Sequence, residues 1–221
     1  MPSFYINTYR PLVATKAGRD ASEIHDLPPL IDGSIRREPD LEHAFPAISC
    51  LCRASKFAPR LKVGDVVTYF TAKGRYQKEF RHWRLTAVLE VHDVFATHSA
   101  AAEWYRKHNL TLPNNCMVPG NAANPLELSH RIYRGGAKAN GAETHRSWDA
   151  EYRARAMKHK VFVVCQRLFR RLTWDAPVVT DNHLKDALGF LPGTQNPRAL
   201  TMEDYRKLMS VLRIAVPLCV Q

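Results

Sequence analysis

The sequence predicts an α+β fold built around a small barrel or sheet. Three observations carry this. Two strand-like runs flank a charged loop between Leu61 and Phe95, reading LKVGDVVTYFTAKGRYQKEFRHWRLTAVLEVHDVF. A wholly apolar run, Val161 to Cys165 (VFVVC), fits a buried strand far from them along the chain. Strand and helix signals also mix without the regular βαβ alternation of a parallel, doubly wound sheet.

Taken in order, Phe4 to Thr8 (FYINT) is a predicted strand, stopped by Tyr9-Arg10-Pro11. Residues 14–46 read as a long irregular connection punctuated by Pro28-Pro29, Asp32-Gly33, Pro39 and Pro46. A connection of that length inside a domain is usually functional. Ile48 to Arg53 (ISCLCR) reads as a second strand, which would put the Cys50 and Cys52 sulfurs on one face. Lys62-Val63-Gly64-Asp65 is a tight turn, where Gly64 accepts a positive φ and Asp65 bonds nearby amides. Val66 to Phe70 and Leu85 to Val91 are the central strands. Residues 72–84 between them hold five Lys/Arg against one Glu, with Tyr76, Phe80 and Trp83 interleaved. That is the local chemistry of a nucleic-acid reader, and equally that of a solvated hairpin tip.

Ser99 to His108 is a predicted helix with Ser99 as N-cap. A second Pro/Gly/Asn-rich loop follows, glycine-rich from Arg131 to Gly141. Ser147 to His159 is the next helix, with Asp149 and Glu151 in its first turn and cations at its end, as the helix dipole favours. Gln166 to Arg171 extends the Val161 strand. Thr180 or Asp181 caps a short helix that Gly189 ends. Thr201 and Asp204 form a capping box for a final helix whose Leu208, Val211 and Leu212 share an apolar face.

At 221 residues and 45% hydrophobic content the chain can bury a sizeable core. No apolar run approaches the ~18 to 20 residues of a membrane span, and the N-terminus MPSFYINTYRP lacks the pattern of a secretory signal. Five cysteines (50, 52, 116, 165 and 219) without framework spacing fit a reducing compartment, so a cytoplasmic location is expected. Net charge is +11, and eleven Lys/Arg against three acids fall between Arg131 and Arg171. That concentration favours an anionic partner, nucleic acid or nucleotide.

The order of the FYINT strand, CLCR, LKVGDVVTYFT and RLTAVLEVHDVF resembles PUA-like domains, the superfamily holding the EVE, ASCH and YTH modules. Leu61 to Tyr69 and Leu85 to Val91 fill the places of its GD turn-strand and of the strand that follows. Asp32-Gly33-Ser34-Ile35-Arg36-Arg37-Glu38-Pro39, Cys50-Leu51-Cys52-Arg53, Leu112-Pro113-Asn114-Asn115-Cys116 and Gly193-Thr194-Gln195-Asn196-Pro197 make the chain most similar to the nucleotide modification associated domain proteins of bacteria and phages. The resemblance implies a small bent β-barrel with surrounding helices, whose open end holds a base or modified base. Its PUA-like domain would span residues 1–175, with long loops at 14–46 and 119–146. Residues 176–221 would be a helical C-terminal extension packed on it. Tyr5 stands where EVE domains carry a Trp, and Trp83, Trp104, Trp148 and Trp174 do not occupy the cage positions of YTH domains. Any modified-base pocket here is built differently.

Several polar residues fall at strand ends on the mouth this fold implies. Asn7, Thr8 and Arg10 leave the first strand, and Asn offers a base edge both a donor and an acceptor. Cys52 and Arg53 end the second strand. Tyr69, Thr71 and Lys73 end the GD strand, and Trp104 offers a stacking surface. These are the candidate base-binding residues. Arg36, Arg37, Arg131, Arg134, Lys138, Arg153 and Arg155 are the candidate phosphate contacts, which position a ligand without specifying it. No H-x-x-x-H pair, P-loop, G-x-S-x-G elbow or paired acidic motif occurs, so no catalytic residue, metal ligand or cofactor is assigned. The expected function is a non-catalytic reader of a nucleotide or modified base, linked to nucleic-acid modification or phage–host conflict. The alternatives are a nuclease or base-modifying enzyme of ASCH-like type and a protein-interaction module.

Overall fold

The computed structural model describes residues 2–130, 141–193 and 197–216. Its strands are β1 (Phe4–Tyr9), β2 (Ala47–Ser49), β3 (Val66–Thr71), β4 (Trp83–Phe95), β5 (Phe162–Arg170), β6 (Val178–Val179) and β7 (Arg198–Leu200). Its α-helices are α1 (Lys16–Ile24), α2 (His98–Lys107), α3 (Gly141–Lys158), α4 (Asp181–Leu188) and α5 (Met202–Val211). All seven strands join one sheet in the order β2-β5-β4-β3-β1-β7, with β6 paired to the start of β4. β1 and β3 run parallel, and the remaining pairs are antiparallel. The class is therefore α+β, as predicted.

The curvature has a local cause. β4 is 13 residues long, and its register against β5 shifts at Val88/Leu89 and again between Val91 and Asp93. Each shift adds bend and twist, so the sheet curls into a half-barrel. The turn before β3 forms as its residues dictate. Gly64 has φ +85°, and the Asp65 carboxylate accepts from the backbone N–H groups of Lys62 (2.9 Å) and Ser3 (2.8 Å).

Both faces of the sheet are covered, which is why every residue of β3 is buried. Tyr9, Val67, Tyr69, Leu89 and Cys165 pack on one face with Phe57 and Leu61. Phe4, Ile6, Val66, Phe70 and Val88 pack on the other against Leu184 of α4 and Tyr205 and Leu208 of α5. Residues 176–216 thus supply two strands and the helices that seal one face. Ala101, Ala102 and Tyr105 of α2 close the far end over Phe162 and Val164.

Four local expectations change. Residues 14–46 contain α1, capped by Thr15, whose hydroxyl accepts from the Gly18 N–H (3.0 Å). Only Gly18 and Ala21 of that helix are buried, so its inward stripe is made of small residues without the large apolar side chains that mark a core-facing helix. β2 stops at Ser49 because the Glu38 carboxylate takes the Ser49 N–H (3.0 Å) and the Cys50 carbonyl takes the Ala54 N–H (2.9 Å) in a turn. Cys50 and Cys52 therefore do not share a strand face. Thr97, not Ser99, caps α2, accepting from Ala100 N–H at 3.1 Å. Val211 is exposed, and α5 buries Tyr205, Leu208, Met209 and Leu212 instead.

Candidate functional site

A cavity of about 940 Å³ opens at the C-terminal ends of β1 and β3, between the sheet, α1 and the 30–39 segment. Asn7 and Tyr69 are register partners across the parallel β1–β3 pair, so their side chains leave the sheet together at its mouth. Asn7 also bonds the Tyr69 hydroxyl. Arg53 sits in the turn after β2 and crosses to β1, where its Nε donates to Asn7 Oδ1 (2.9 Å) and its Nη2 donates to the Thr8 carbonyl. Two segments distant in sequence meet at that guanidinium, beside Tyr69 of β3.

Of the candidate base contacts, Asn7, Thr8, Arg10, Cys52, Arg53, Tyr69 and Lys73 all line this one cavity. Arg10 stands exposed at the rim. Lys73 is tethered there, donating to Asp181 at 2.7 Å and lying 4.6 Å from the Trp83 ring. Cys52 is reached by solvent but walled in by protein, and that enclosure, with Asp32 and Glu38 nearby, pushes its thiol well above the ordinary range. Thr71 and Trp104 stand apart. Thr71 is buried and its hydroxyl accepts from Arg84 N–H (2.9 Å), tying β3 to β4. Trp104 packs against Phe45, His92 and His108 on α2's outer side.

The candidate phosphate contacts disperse. Arg36 is fully buried: its Nε donates to Asp149 (2.7 Å) and its Nη1 to the carbonyls of Asn114 and Asn121. Arg37 is buried too, donating to the backbone of Asp32, Ser34 and Leu128. Both clamp loops, a structural use of the guanidinium fork. Arg153 is exposed and pairs with Asp149 (2.8 Å). Arg155 reaches the Leu51 carbonyl (2.8 Å) beside Cys52. Arg131, Arg134 and Lys138 lie outside the described residues.

Sequence reading passed over the cavity's acidic interior. Asp32, Glu38, Ser49 and His130 line it and are all at least nine-tenths buried. Glu38 accepts from Ser49 N–H, the Ser49 hydroxyl and Asn115 Nδ2 (2.9 Å), yet loss of solvent outweighs these bonds and pushes its carboxyl up to about 8. Burial raises Asp32 as well, against bonds from Ser34 that hold it down. Burial lowers His130, and its Nε2 faces the Pro11 carbonyl at 2.8 Å. A carbonyl only accepts, so Nε2 carries the proton and Nδ1 the lone pair. The ring lies directly on Gly33, where a Cβ would stand 1.6 Å from Nε2. The DGSIRREP stretch held the signal for Asp32, Gly33 and Glu38, but no periodicity separates its inward carboxyls from its clamping arginines.

Among the described residues no group of His, Cys, Asp and Glu is arranged to hold a metal, and no helix is long and apolar enough to cross a membrane. No family model matches the chain, and no curated protein matches it. A solved structure described as "Crystal structure of ASCH from Zymomonas mobilis" is similar, with TM-score 0.39 and 8% identity over 94% of each chain. At that score the likeness adds no argument to the geometry.

Proposed function

We propose that the protein binds a nucleotide or modified base of nucleic acid in the cavity at the ends of β1 and β3. The observation that carries this reading is the convergence of Asn7, Thr8, Cys52, Arg53 and Tyr69 on one cavity of about 940 Å³ with exposed cations at its rim. That volume lies within the range that takes a drug-sized or nucleotide-sized ligand. Tyr69 and Tyr76 supply aromatic walls, on which base stacking contributes roughly 1–3 kcal/mol. Arg10, Arg19 and Arg75 at the rim would meet phosphates, and the +11 net charge would draw a polyanion towards them.

Fluorescence anisotropy tests the reading, with matched oligonucleotides carrying unmodified and phage-type modified bases across a salt series. A steep salt slope with preference for one base supports a reader, and no binding at low salt overturns it. A second reading, a nuclease or base-modifying enzyme, is favoured by one observation. Asp32, Glu38 and His130 share the cavity, and all three titrate away from their ordinary ranges, which is a mark of catalytic sites. Turnover of a labelled oligonucleotide by the wild type, lost in Glu38→Gln, would establish it over the reader.

A further inference from the structure

The cavity is electrically polarised. Its interior holds two buried carboxyl groups, Asp32 and Glu38, close enough to feel one another. Neither forms an ion pair among the described residues. Ser49 and Asn115 donate to Glu38 and Ser34 to Asp32, while the nearby guanidinium and imidazole nitrogens are spent on other acceptors. Arg37 serves backbone carbonyls, including that of Asp32 itself. Arg53 serves Asn7 and the Thr8 carbonyl, and His130 Nε2 serves the Pro11 carbonyl. The Tyr9 hydroxyl is likewise given to the Leu30 carbonyl. What remains for a ligand inside is acceptor capacity: Glu38 Oε1 takes only the Ser49 N–H, and a ligand N–H that reaches it favours the ionised carboxyl, which offers about four lone-pair sites. The outer rim is mainly opposite in sign, its cations outnumbering Glu23. Arg10, Arg19 and Arg75 line the cavity with exposed side chains and form no ion pair among the described residues.

Resting on the nucleotide reading of this site, we propose that the cavity selects a base that presents N–H donors to Asp32 and Glu38 while Arg10, Arg19 and Arg75 hold its phosphate. Two sources supply that chemistry. One is the guanine edge, with a ring N–H beside an exocyclic amino group. The other is an amine appended to a pyrimidine, as in a 5-aminomethyl uracil. Uracil itself, an acceptor on each side of one N–H, would leave the carboxyl groups facing lone pairs. An unmade hydrogen bond at a buried polar group is costly, so discrimination should be strong.

Isothermal titration of the full chain with nucleoside monophosphates tests this. GMP against IMP isolates the exocyclic amino group. The 5-aminomethyl against the 5-hydroxymethyl derivative of dUMP isolates the appended amine. The expected result is a preference of about tenfold or more for the amino member of at least one pair, as one hydrogen bond to a buried acceptor gives. The pair that shows it names the source. Asp32→Asn should reduce the preference, while Arg10→Ala should weaken every nucleotide alike and leave it intact. The ligand pairs need no variant, so a variant that misfolds does not block the test. Nucleotides that bind with no preference for either amino member overturn the inference and leave the nucleotide reading standing. Failure of every nucleotide to bind overturns both.

Discussion

Replacing Glu38 by Gln should change how stability depends on pH. Glu38 is 5% exposed, and loss of solvent carries its carboxyl from an ordinary 4.5 to about 8. An acid raised on folding holds its proton more tightly in the native state, so its contribution is fully present below 4.5. It is lost progressively as pH rises towards 8. Each pH unit in that window removes about 1.4 kcal/mol. Between pH 5.5 and 7.5 the wild type should therefore lose about 2–3 kcal/mol through this group, or roughly 4–12 °C in Tm for a chain of this size. His98, held down to about 4 by burial and by Arg36, acts in the opposite sense below 6.5, as does His130. Both histidines are common to the two proteins, so the difference between wild type and Glu38→Gln isolates the carboxyl. Urea unfolding at half-unit pH steps measures it. The variant should start slightly less stable at pH 5.5, since one amide oxygen replaces the two carboxyl oxygens that serve Ser49 and Asn115, and should overtake the wild type by pH 7.5. Parallel profiles across that window would refute the raised Glu38 carboxyl and, with it, the view of the cavity as an enclosed site.

Three further outcomes follow from the same geometry. Gly33→Ala puts a methyl group into the His130 ring and should cost about 1–3 kcal/mol by overpacking, read by thermal unfolding, with weakened ligand binding alongside. Arg36→Ala removes a buried guanidinium from Asp149 and two carbonyls and should cost about 3–5 kcal/mol in urea unfolding, whereas Arg153→Ala should change stability by less than about 1 kcal/mol. Alkylation of Cys52, followed by peptide mass mapping, should run slower than that of a free thiol at pH 8, because its raised titration leaves less thiolate. Equal rates would contradict the enclosure of that thiol.

Much of the fold was legible because its cues are local. The Gly64-Asp65 turn, the Thr180–Gly189 helix and the Thr201/Asp204 capping box each sit within a few residues, and each formed where its residues said it would. α1 was hidden because its buried stripe is Gly18 and Ala21, with no large apolar side chain to mark it. β2 ended early because a side chain eleven residues upstream, Glu38, takes the Ser49 amide.

The sequence by itself determined the α+β class, the order of the central strands and the cationic balance, since propensity, periodicity and charge are properties of neighbours along the chain. Which polar residues face the cavity was decided only by the tertiary structure. Arg36 and Glu38 lie two positions apart in one irregular segment, yet Arg36 is locked to Asp149 while Glu38 lines the cavity. Outside a helix or strand no period ties a side chain's direction to its position. The partners that settle it, Asp149, Ser49 and Asn115, arrive only when other segments fold against this one.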